Sequence, residues 1–459
     1  MIRLVALATA LFLTSGRLLA QSGAAPDAMS SHKMSSGSMS AMTMMLPLNV
    51  PSSRMGSGTS WVPDSTRVRD ISTMRGAWML SLQGKAYGQY VNQSTKRGDT
   101  QFGITDWGML MAMRSVGTGQ FRFNLMTTIE PLTIGGSGYP LLLQTGGTYQ
   151  HSPLHDRQHP HDAVMELATS FEQPIANTLS LSAYAAAVGE PAIGPVASMH
   201  RPSAENDPLA PIGHHWQDAS HQSFGVLTVG VNTRTLKLEG SLFNPREPDE
   251  HHLFMDYRGA KLDSYAGRIT WAATPHVVAS SWYGFLNSHE RLDPTTRMHR
   301  YGASVLTQSR GILGGDWSST FVWAMNLHHH GGASHELIHG APGASPHHHA
   351  SSLLAETNLG IGTRTSAFAR IERVKKDGEE LGFQGGDLTV LYDIRSIVLG
   401  GVRTIGNVAN TQLAFGARGS INFVPQILLA TYGTRTPSGF AVYAQLRAAR
   451  RHSGQTHLH

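Results

Sequence analysis

Apolar and polar residues alternate along much of the chain from residue 78 onward. In residues 78–90, one set of alternate positions is mostly apolar and the other set, from Met79 to Gln89, is mostly polar. A period of two places successive side chains on opposite faces of a β-strand. The pattern recurs in four more stretches, with charged residues on one face only: 121–130, 165–171, 236–242 and 440–447. Strands of about ten residues with this alternation are typical of transmembrane β-barrels.

The connections between these stretches alternate in length. Five short turns are predicted, at residues 117–119, 174–177, 232–234, 274–275 and 393–395. Six long loops are predicted, at residues 131–162, 189–221, 244–263, 287–298, 328–350 and 375–386. Short turns at one rim and long loops at the other are typical of outer-membrane barrels. We therefore predict an all-β fold, a transmembrane antiparallel barrel of about 16 strands (range about 14 to 18), although residues 421–439 do not fit the alternation. A soluble β-sandwich or solenoid is the alternative.

The chain divides into four predicted segments. Residues 1–20 have the basic, apolar and small-residue regions of a secretory signal peptide. Residues 21–74 are rich in Met, Ser and Gly and predict a flexible periplasmic segment. The barrel, with His-rich extracellular loops, is predicted over residues 75–448, and a His-containing tail over 449–459. No later run approaches the roughly 20 apolar residues of a membrane helix, so the predicted location is the outer membrane.

Composition narrows the chemistry of the chain. It has no Cys, so metal ligation is left to His, Met and carboxylates. Charged residues make up 15%, against roughly 25% in an average soluble domain, as a lipid-facing surface requires. The net charge is +5, but the basic residues are scattered, so nucleic acid is not a predicted partner. The unusual counts are 25 His and 19 Met.

The predicted periplasmic segment carries a series of methionines around one histidine. The candidate ligands there are Met29, His32, Met34, Met39, Met42, Met44 and Met45. Thioether sulfur suits Cu(I), and a flexible segment can wrap an ion without a preformed site. The alternative is a low-complexity linker. The ion predicted to bind is copper, ahead of zinc or nickel, and no cofactor is required.

A dense group of imidazoles and carboxylates precedes the stretch that begins near residue 163. The candidate metal ligands are His155, Asp156, His159, His161 and Asp162. A carboxylate beside a histidine fixes the imidazole tautomer for metal binding. The alternative is a structural loop at the barrel mouth, held by ion pairs of Asp156, Arg157 and Asp162. Both interpretations remain open from the sequence.

The remaining histidines lie mostly in predicted loops, where they indicate weak collective metal binding or a pH-sensitive surface. Residues 335–339 match the H-E-x-x-H pattern of zinc proteases. Glycines and prolines on both sides leave no room for the helix that this geometry requires. No nucleophile or phosphate-loop motif is present in the sequence, and we expect no enzymatic activity.

With these features in view, the chain resembles a group of largely uncharacterised bacterial outer-membrane β-barrel proteins and, more distantly, the copper-resistance protein B family. The resemblance covers the chain from residue 78 to 447 by layout. Its sharpest points are residues 155–162, 416–423, 432–433 and 440–446. It implies an outer-membrane barrel that lessens copper toxicity through Met and His residues of its leader segment.

Two main functions follow. The first is an outer-membrane barrel for binding, resistance to or transport of copper or another soft or borderline metal, with membrane lipid, metal ions and periplasmic metal-handling proteins as partners. The second is a general or substrate-selective porin that passes small solutes and whose His-rich loops are incidental. A structural or adhesive surface protein and an outer-membrane enzyme are two further classes with little support in the sequence.

Overall fold

The structure is a computed structural model that describes residues 45–257, 261–289, 295–329, 347–382 and 390–449. Twenty-one strands occur in these ranges. They are β1 Met45–Leu46, β2 Val50–Pro51, β3 Ile71–Arg75, β4 Trp78–Ser94, β5 Thr100–Val116, β6 Gly119–Thr127, β7 Tyr139–Tyr149, β8 Ser152–Gln158, β9 Val164–Ala176, β10 Leu179–Gly189, β11 Ser223–Asn232, β12 Leu236–Phe243, β13 Ser264–Thr274, β14 Val277–Asn287, β15 Arg297–Ile312, β16 Gly314–His329, β17 His347–Ile361, β18 Thr365–Lys376, β19 Tyr392–Val408, β20 Thr411–Phe423 and β21 Ser438–Ala448.

Sixteen of these strands form one closed antiparallel barrel, which confirms the predicted fold. They are β4 to β6 and β9 to β21, each paired with its neighbour along the chain. The barrel closes where β21 pairs with β4, from Ser438 opposite Ser94 to Arg447 opposite Lys85. The first residues of β4, Trp78 to Leu82, lie outside this pairing and pair with β3 instead. The strands β7 and β8 form a separate hairpin between β6 and β9.

The outer and inner faces of the wall differ as the alternation predicts. On β12, Leu236, Leu238 and Leu242 are exposed on the outer face, while Lys237 and Glu239 are buried toward the lumen. Exposed aromatic side chains lie on the outer face near both rims: Tyr90, Phe102, Tyr265, Phe423 and Phe440 near the long loops, and Trp271 and Trp317 near the short turns. An apolar band between aromatic girdles is the surface of a barrel that spans an outer membrane, which confirms the predicted location.

The described helices are short. The α-helices are α1 Glu130–Thr133, α2 His214–Gln217 and α3 Leu429–Tyr432, and the 3-10 helices are Pro47–Asn49, Ser52–Arg54, Ser198–His200, Pro202–Ala204, Ala219–His221 and Gln426–Leu428. Among the described residues, no helix is long and apolar enough to cross a membrane.

One predicted turn is wrong. Asp393–Arg395 lies inside β19, which begins at Tyr392. Three tight turns escaped prediction because each is only one to three residues long: residue 313, residues 362–364 and residues 409–410. The misplaced turn also explains why residues 421–439 did not fit. They contain the end of β20, a long loop with α3, and the start of β21.

Two segments occupy the lumen. Residues 190–222, between β10 and β11, fold inward across the barrel, and we call them the inward loop. Residues 45–70 lie against the lumen wall toward the short turns, and we call them the plug segment. The sequence placed residues 45–70 in a flexible segment, and the structure differs because their polar groups meet hydrogen-bond partners on the wall.

Candidate functional site

The inward loop is held to the wall by buried ion pairs. Arg201 contacts Glu356 of β17 at 2.7 Å and Asp218 of its own loop at 3.3 Å, and the Arg201 side chain is fully buried. Asp207 contacts two wall arginines, Arg370 at 3.1 Å and Arg418 at 3.5 Å. Removing one partner from a buried ion pair strongly destabilises the folded protein, because the other charge stays buried without compensation. The loop is therefore fastened deep within the lumen.

Glu205 of the inward loop joins the loop, the wall and the plug segment. Its carboxylate accepts hydrogen bonds from Arg447 of β21, at 3.2 Å, and from Arg69 of the plug segment. Its carbonyl oxygen accepts from the Tyr87 hydroxyl at 2.8 Å and from Lys85 at 3.3 Å. One residue thus holds three parts of the molecule together in the middle of the barrel.

The plug segment makes its own contacts with the lumen wall. Within it, Arg54 and Asp64 form a two-pronged ion pair at 2.5 and 2.6 Å. The Ser65 hydroxyl donates to the carbonyl of Gln308 at 2.8 Å, and Arg310 donates to the Ser65 carbonyl at 2.7 Å. The plug segment and the inward loop thus both bind polar groups of the lumen wall.

A cavity of about 220 Å³ opens on the long-loop side of the inward loop. Its lining comes from the inward loop, the β7–β8 hairpin, the loop after β12 and the wall. The lining is rich in histidine and includes His155, His159, His215, His252, His289 and His328. We call this cavity the vestibule.

Five imidazoles beside the vestibule form a closed circuit, which we call the histidine cluster: His159, His161, His221, His214 and His215. Going round, neighbouring ring centres are 6.5, 5.2, 5.2, 5.2 and 5.7 Å apart. Two imidazoles on one ion, with metal–nitrogen distances of about 2.0–2.1 Å, have ring centres roughly 5 Å apart. Most ring-centre distances in the cluster are thus close to the distance between two imidazoles bound to the same ion.

Carboxylates and carbonyls orient several of these rings through Nδ1. His161 Nδ1 lies 2.8 Å from Glu130, and His214 Nδ1 lies 2.6 Å from Asp218. Nearby, His252 Nδ1 lies 2.6 Å from Asp162. The His221 Nδ1 donates to a backbone carbonyl at 2.7 Å. This is the arrangement that turns the other ring nitrogen, Nε2, toward a metal.

The Nε2 atoms of His215, His221 and His252 are buried and have no hydrogen-bond partner. Even so, within the described ranges no group of three or more His, Asp or Glu side chains is arranged to hold a metal ion. Binding therefore requires the imidazoles to turn toward a common centre.

The charges of the histidine cluster are set by burial and by neighbouring groups. Burial, helped by the proximity of His161, lowers the pKa of His159 to about 3. Burial also lowers the pKa of His215 and His221 well below the usual value. Burial opposes the charge of His161, but the Glu130 carboxylate outweighs it and raises that pKa. Three of the imidazoles are thus neutral at pH 7, the form that binds metal.

The structure separates the predicted ligands of residues 155–162. His159 and His161 belong to the histidine cluster, and Asp162 orients His252 beside it. Asp156 contacts Arg97 at 2.8 Å and accepts from the Leu143 amide at 2.6 Å. His155 lines the vestibule and contacts the Glu380 carbonyl at 3.1 Å. Ion pairs of Asp156 with Arg97 and of Arg157 with Asp99 hold this loop, as the structural interpretation expects, while metal binding by its residues stays a prediction.

The predicted N-terminal ligands Met29, His32, Met34, Met39, Met42 and Met44 lie outside the described residues, as does the H-E-x-x-H match at 335–339. Met45 begins β1 and is exposed. His214, His215 and His221 belong to the remaining histidines that the sequence places in predicted loops, and Glu130 is not among the predicted site residues. Histidines near acidic residues recur in two successive predicted long loops, 131–162 and 189–221, and this recurrence could have indicated that the two loops meet.

No protein-family model matches the chain, and no curated protein matches it. Among solved structures, OmpF of Salmonella typhi in complex with daunomycin has a TM-score of 0.48 and 12% identity, over 82% of this chain and 100% of that one. OmpT, an outer membrane protein of Vibrio cholerae, has a TM-score of 0.48 and 6% identity, over 82% and 99%. A porin of Rhodopseudomonas blastica has a TM-score of 0.36 and 10% identity, over 80% and 100%. The barrel described here rests on its own strand pairing and apolar exterior.

Proposed function

We propose that the protein is an outer-membrane channel for small solutes whose pore is narrowed by the inward loop and the plug segment. The observation that carries this proposal is the fastening of the inward loop to the lumen wall, where Glu205 and Asp207 contact the wall arginines Arg447, Arg370 and Arg418. A loop that crosses a charged lumen limits the size and the charge of what passes.

Single-channel conductance in planar lipid bilayers tests the channel. The wild-type protein is expected to show small, discrete conductance steps. The double variant Glu205→Gln/Asp207→Asn weakens the fastening of the loop, so its steps are expected to be several-fold larger. The matched control is Asp393→Asn, which removes a carboxylate at the rim that pairs with Arg373 and Arg395. Absence of conductance in all three proteins would sink the channel proposal.

A second candidate function is the handling of a borderline or soft metal at the vestibule. The observation that favours it is the histidine cluster, with its carboxylate-oriented rings and the unpartnered Nε2 atoms of His215 and His221. Neutral imidazole suits Zn(II), Ni(II) and Cu(II). On this proposal the metal is the cargo, captured at the long-loop side before it enters the lumen.

Calorimetric titration of the folded protein with Zn(II), Ni(II) and Cu(II) tests this second candidate. The variant His159→Gln/His221→Gln is expected to bind at least tenfold more weakly than the wild type. The control is His151→Gln/His276→Gln, two histidines outside the cluster that lie on the hairpin turn and near the short turns. Equal affinities in all three proteins would remove the cluster as a metal site.

The methionine-rich leader and the proposed copper resistance require a separate test in cells. Deleting residues 28–44 leaves the described plug segment in place and removes the leader ligands other than Met45. If the leader captures Cu(I), the deletion lowers the copper tolerance of cells and the copper content of the purified protein. Unchanged tolerance and unchanged content would limit metal handling to the barrel itself.

A further inference from the structure

Methionines form a packed cluster on the lumen side of the wall. Five are buried and three are partly buried, and Trp107 packs with them. The eight, which we call the methionine cluster, are Met55, Met79, Met109, Met111, Met113, Met126, Met165 and Met199. These eight, of the chain's 19 methionines, come from the plug segment, four wall strands and the inward loop.

The centre of the methionine cluster is a stripe on β5. Met109, Met111 and Met113 occupy alternate positions and are 6%, 4% and 1% exposed, while Leu110 between them is 40% exposed on the outer face. The stripe therefore faces the lumen. It runs roughly 13–14 Å along the strand, at about 3.4 Å per residue.

Neighbouring strands place further sulfur atoms opposite the stripe. Met109 pairs directly with Met126 of β6, and Met113 pairs directly with Met79 of β4. Directly opposed residues of antiparallel strands have Cβ atoms about 4.5–5.5 Å apart, which is within reach of a flexible thioether side chain. Sulfur atoms of facing pairs can thus meet at two points along the stripe, near Met109 with Met126 and near Met113 with Met79.

Packing alone does not account for this choice of residue. Nearby lumen positions on the same strands are polar, such as Ser81 and Asn124. An apolar patch that served only to pack would be better defined with Leu, Ile or Val, because Met is flexible and specifies a core poorly. What thioethers add is a soft, uncharged donor that selects Cu(I) over hard cations.

The contacts of the cluster distinguish its members. The sulfur of Met55 accepts a hydrogen bond from Arg122 at 3.0 Å, so this sulfur is already engaged and lies beside a positive charge. Glu166 pairs with Met126 across the strands and contacts Asn124 at 3.2 Å. A cation is therefore better placed near β5 and Met126, with a carboxylate close by, than at Met55.

We propose that the methionine cluster binds soft monovalent cations, Cu(I) or Ag(I), along the β5 stripe, through the sulfur atoms of Met109, Met111 and Met126 at one end and of Met113 at the other. The site goes beyond the channel function, because an ion can bind to the wall whether or not the barrel conducts. It is also separate from the histidine cluster, since it uses sulfur rather than nitrogen. Oxidation of the ion is not part of the proposal.

Ag(I) binding to the folded, full-length chain tests this site. The leader methionines Met29, Met34, Met39, Met42, Met44 and Met45 are first changed to Leu, so that they add no sites of their own. In this background, Met109→Leu/Met111→Leu/Met113→Leu is expected to bind Ag(I) at least tenfold more weakly in chloride-free buffer, as measured by mass spectrometry of bound silver. The control, Met255→Leu/Met298→Leu/Met325→Leu, removes as many methionines outside the cluster and is expected to retain binding. Equal loss in both, or in neither, would overturn the proposal.

A second measurement decides the matter if the triple variant does not form a barrel. In the leader-substituted protein labelled at the methionine methyl groups, Ag(I) is expected to shift the NMR signals of Met109, Met111, Met113 and Met126 and to leave those of Met255 and Met325 in place. No shift at the four methionines overturns the site. A protein that conducts nothing but shows these shifts would refute the channel and keep the site.

Discussion

The histidine cluster and the methionine cluster occupy the same lumen but are built in different ways. Loops and short helices carry the five histidines, which come together only because the inward loop folds against residues 159–161. Strands carry most of the methionines, whose common direction follows from the period of two along β5. The histidines titrate and the thioethers do not. The comparison teaches that loop folding and pH govern one cluster, and neither governs the other.

The largest effect is expected from Arg201→Met. The change removes the fully buried arginine that contacts both Glu356 and Asp218, which then keep only Arg370 and His214 as charged partners. Leaving a buried charge wholly uncompensated costs about 3–5 kcal/mol, and the expected loss of stability approaches but does not exceed that range. The inward loop is expected to detach, so that Zn(II) binding is lost while Ag(I) binding is retained, and proteolysis within residues 190–222 becomes fast. Denaturant unfolding, calorimetry and limited proteolysis measure these outcomes.

The control for Arg201→Met is Arg395→Met, which removes an exposed arginine paired with Asp393 at 2.9 Å. Exposed pairs contribute about 0–1 kcal/mol, so stability and both metal affinities are expected to stay close to the wild type. If Arg201→Met lowers Ag(I) binding as much as Zn(II) binding, the two clusters are not independent.

Glu130→Gln is expected to have the next largest effect, and on the histidine cluster alone. Glu130 holds the Nδ1 of His161 at 2.8 Å, and changing such an orienting group typically weakens metal binding roughly 10–100-fold. Titration with Zn(II) and Ag(I) measures both sites in one protein. Glu250→Gln is the control, because Glu250 accepts hydrogen bonds from the backbone amides of residues 150 and 151, outside the histidine cluster. A fall in Ag(I) binding would count against the separation.

Acidification from pH 7 to pH 5 is expected to weaken the histidine cluster by a smaller amount. The pKa of His159 is lowered to about 3 in the folded protein, and His215 and His221 are lowered as well. The unfolded chain therefore binds more protons below about pH 6.5, and stability falls as the pH falls. For His159 the loss at pH 5 is roughly 1–2 kcal/mol.

His161 has the opposite effect on stability. Glu130 raises its pKa in the folded protein, so the stability that this ion pair contributes is retained as the pH falls. The three lowered groups outnumber it, so the inward loop is expected to loosen and the conductance steps to grow at pH 5. Ag(I) binding is expected to change little, because thioethers carry no titrating proton. Constant conductance between pH 7 and pH 5 would show that the cluster does not control the loop.

The smallest effect on stability is expected from Met111→Leu. The two side chains have similar volume, and such exchanges usually cost less than about 1.5 kcal/mol. If the methionine cluster serves only to pack, this variant behaves as the wild type in every measurement. If it binds a soft cation, Ag(I) affinity falls while the denaturant midpoint and the Zn(II) affinity hold. A large loss of stability with unchanged Ag(I) affinity would favour packing.

The barrel could be predicted because each wall strand repeats the same local rule. The separation of Leu238 from Lys237 and Glu239 is visible in three consecutive letters of the sequence, and the structure confirms it. Turns were harder, because a turn as short as residue 313 leaves almost no polar interval between two strands. Asp393–Arg395 was misplaced because its charged residues resemble a turn, although they lie at the beginning of β19.

The site was less predictable than the wall. The contact between His161 and His221 joins two loops that are 60 residues apart, and no local pattern encodes it. The ion pair of Arg201 with Glu356 spans an even longer separation. The stripe at Met109, Met111 and Met113, by contrast, stands openly in the sequence with the period of a strand. The predicted soft-metal ligands covered only the leader methionines and did not include this stripe.

The short strand β3 has a consequence for how this barrel is assembled. Strand β4 extends beyond the end of its partner β21, which leaves Trp78 to Leu82 with an unpaired edge, and β3 covers that edge. The plug segment continues directly into β3, so the plug is tied to the one seam that joins the two ends of the sheet. A barrel that closed without its plug would lose β3 as well and would leave the first residues of β4 as an open edge, on which a second chain could pair.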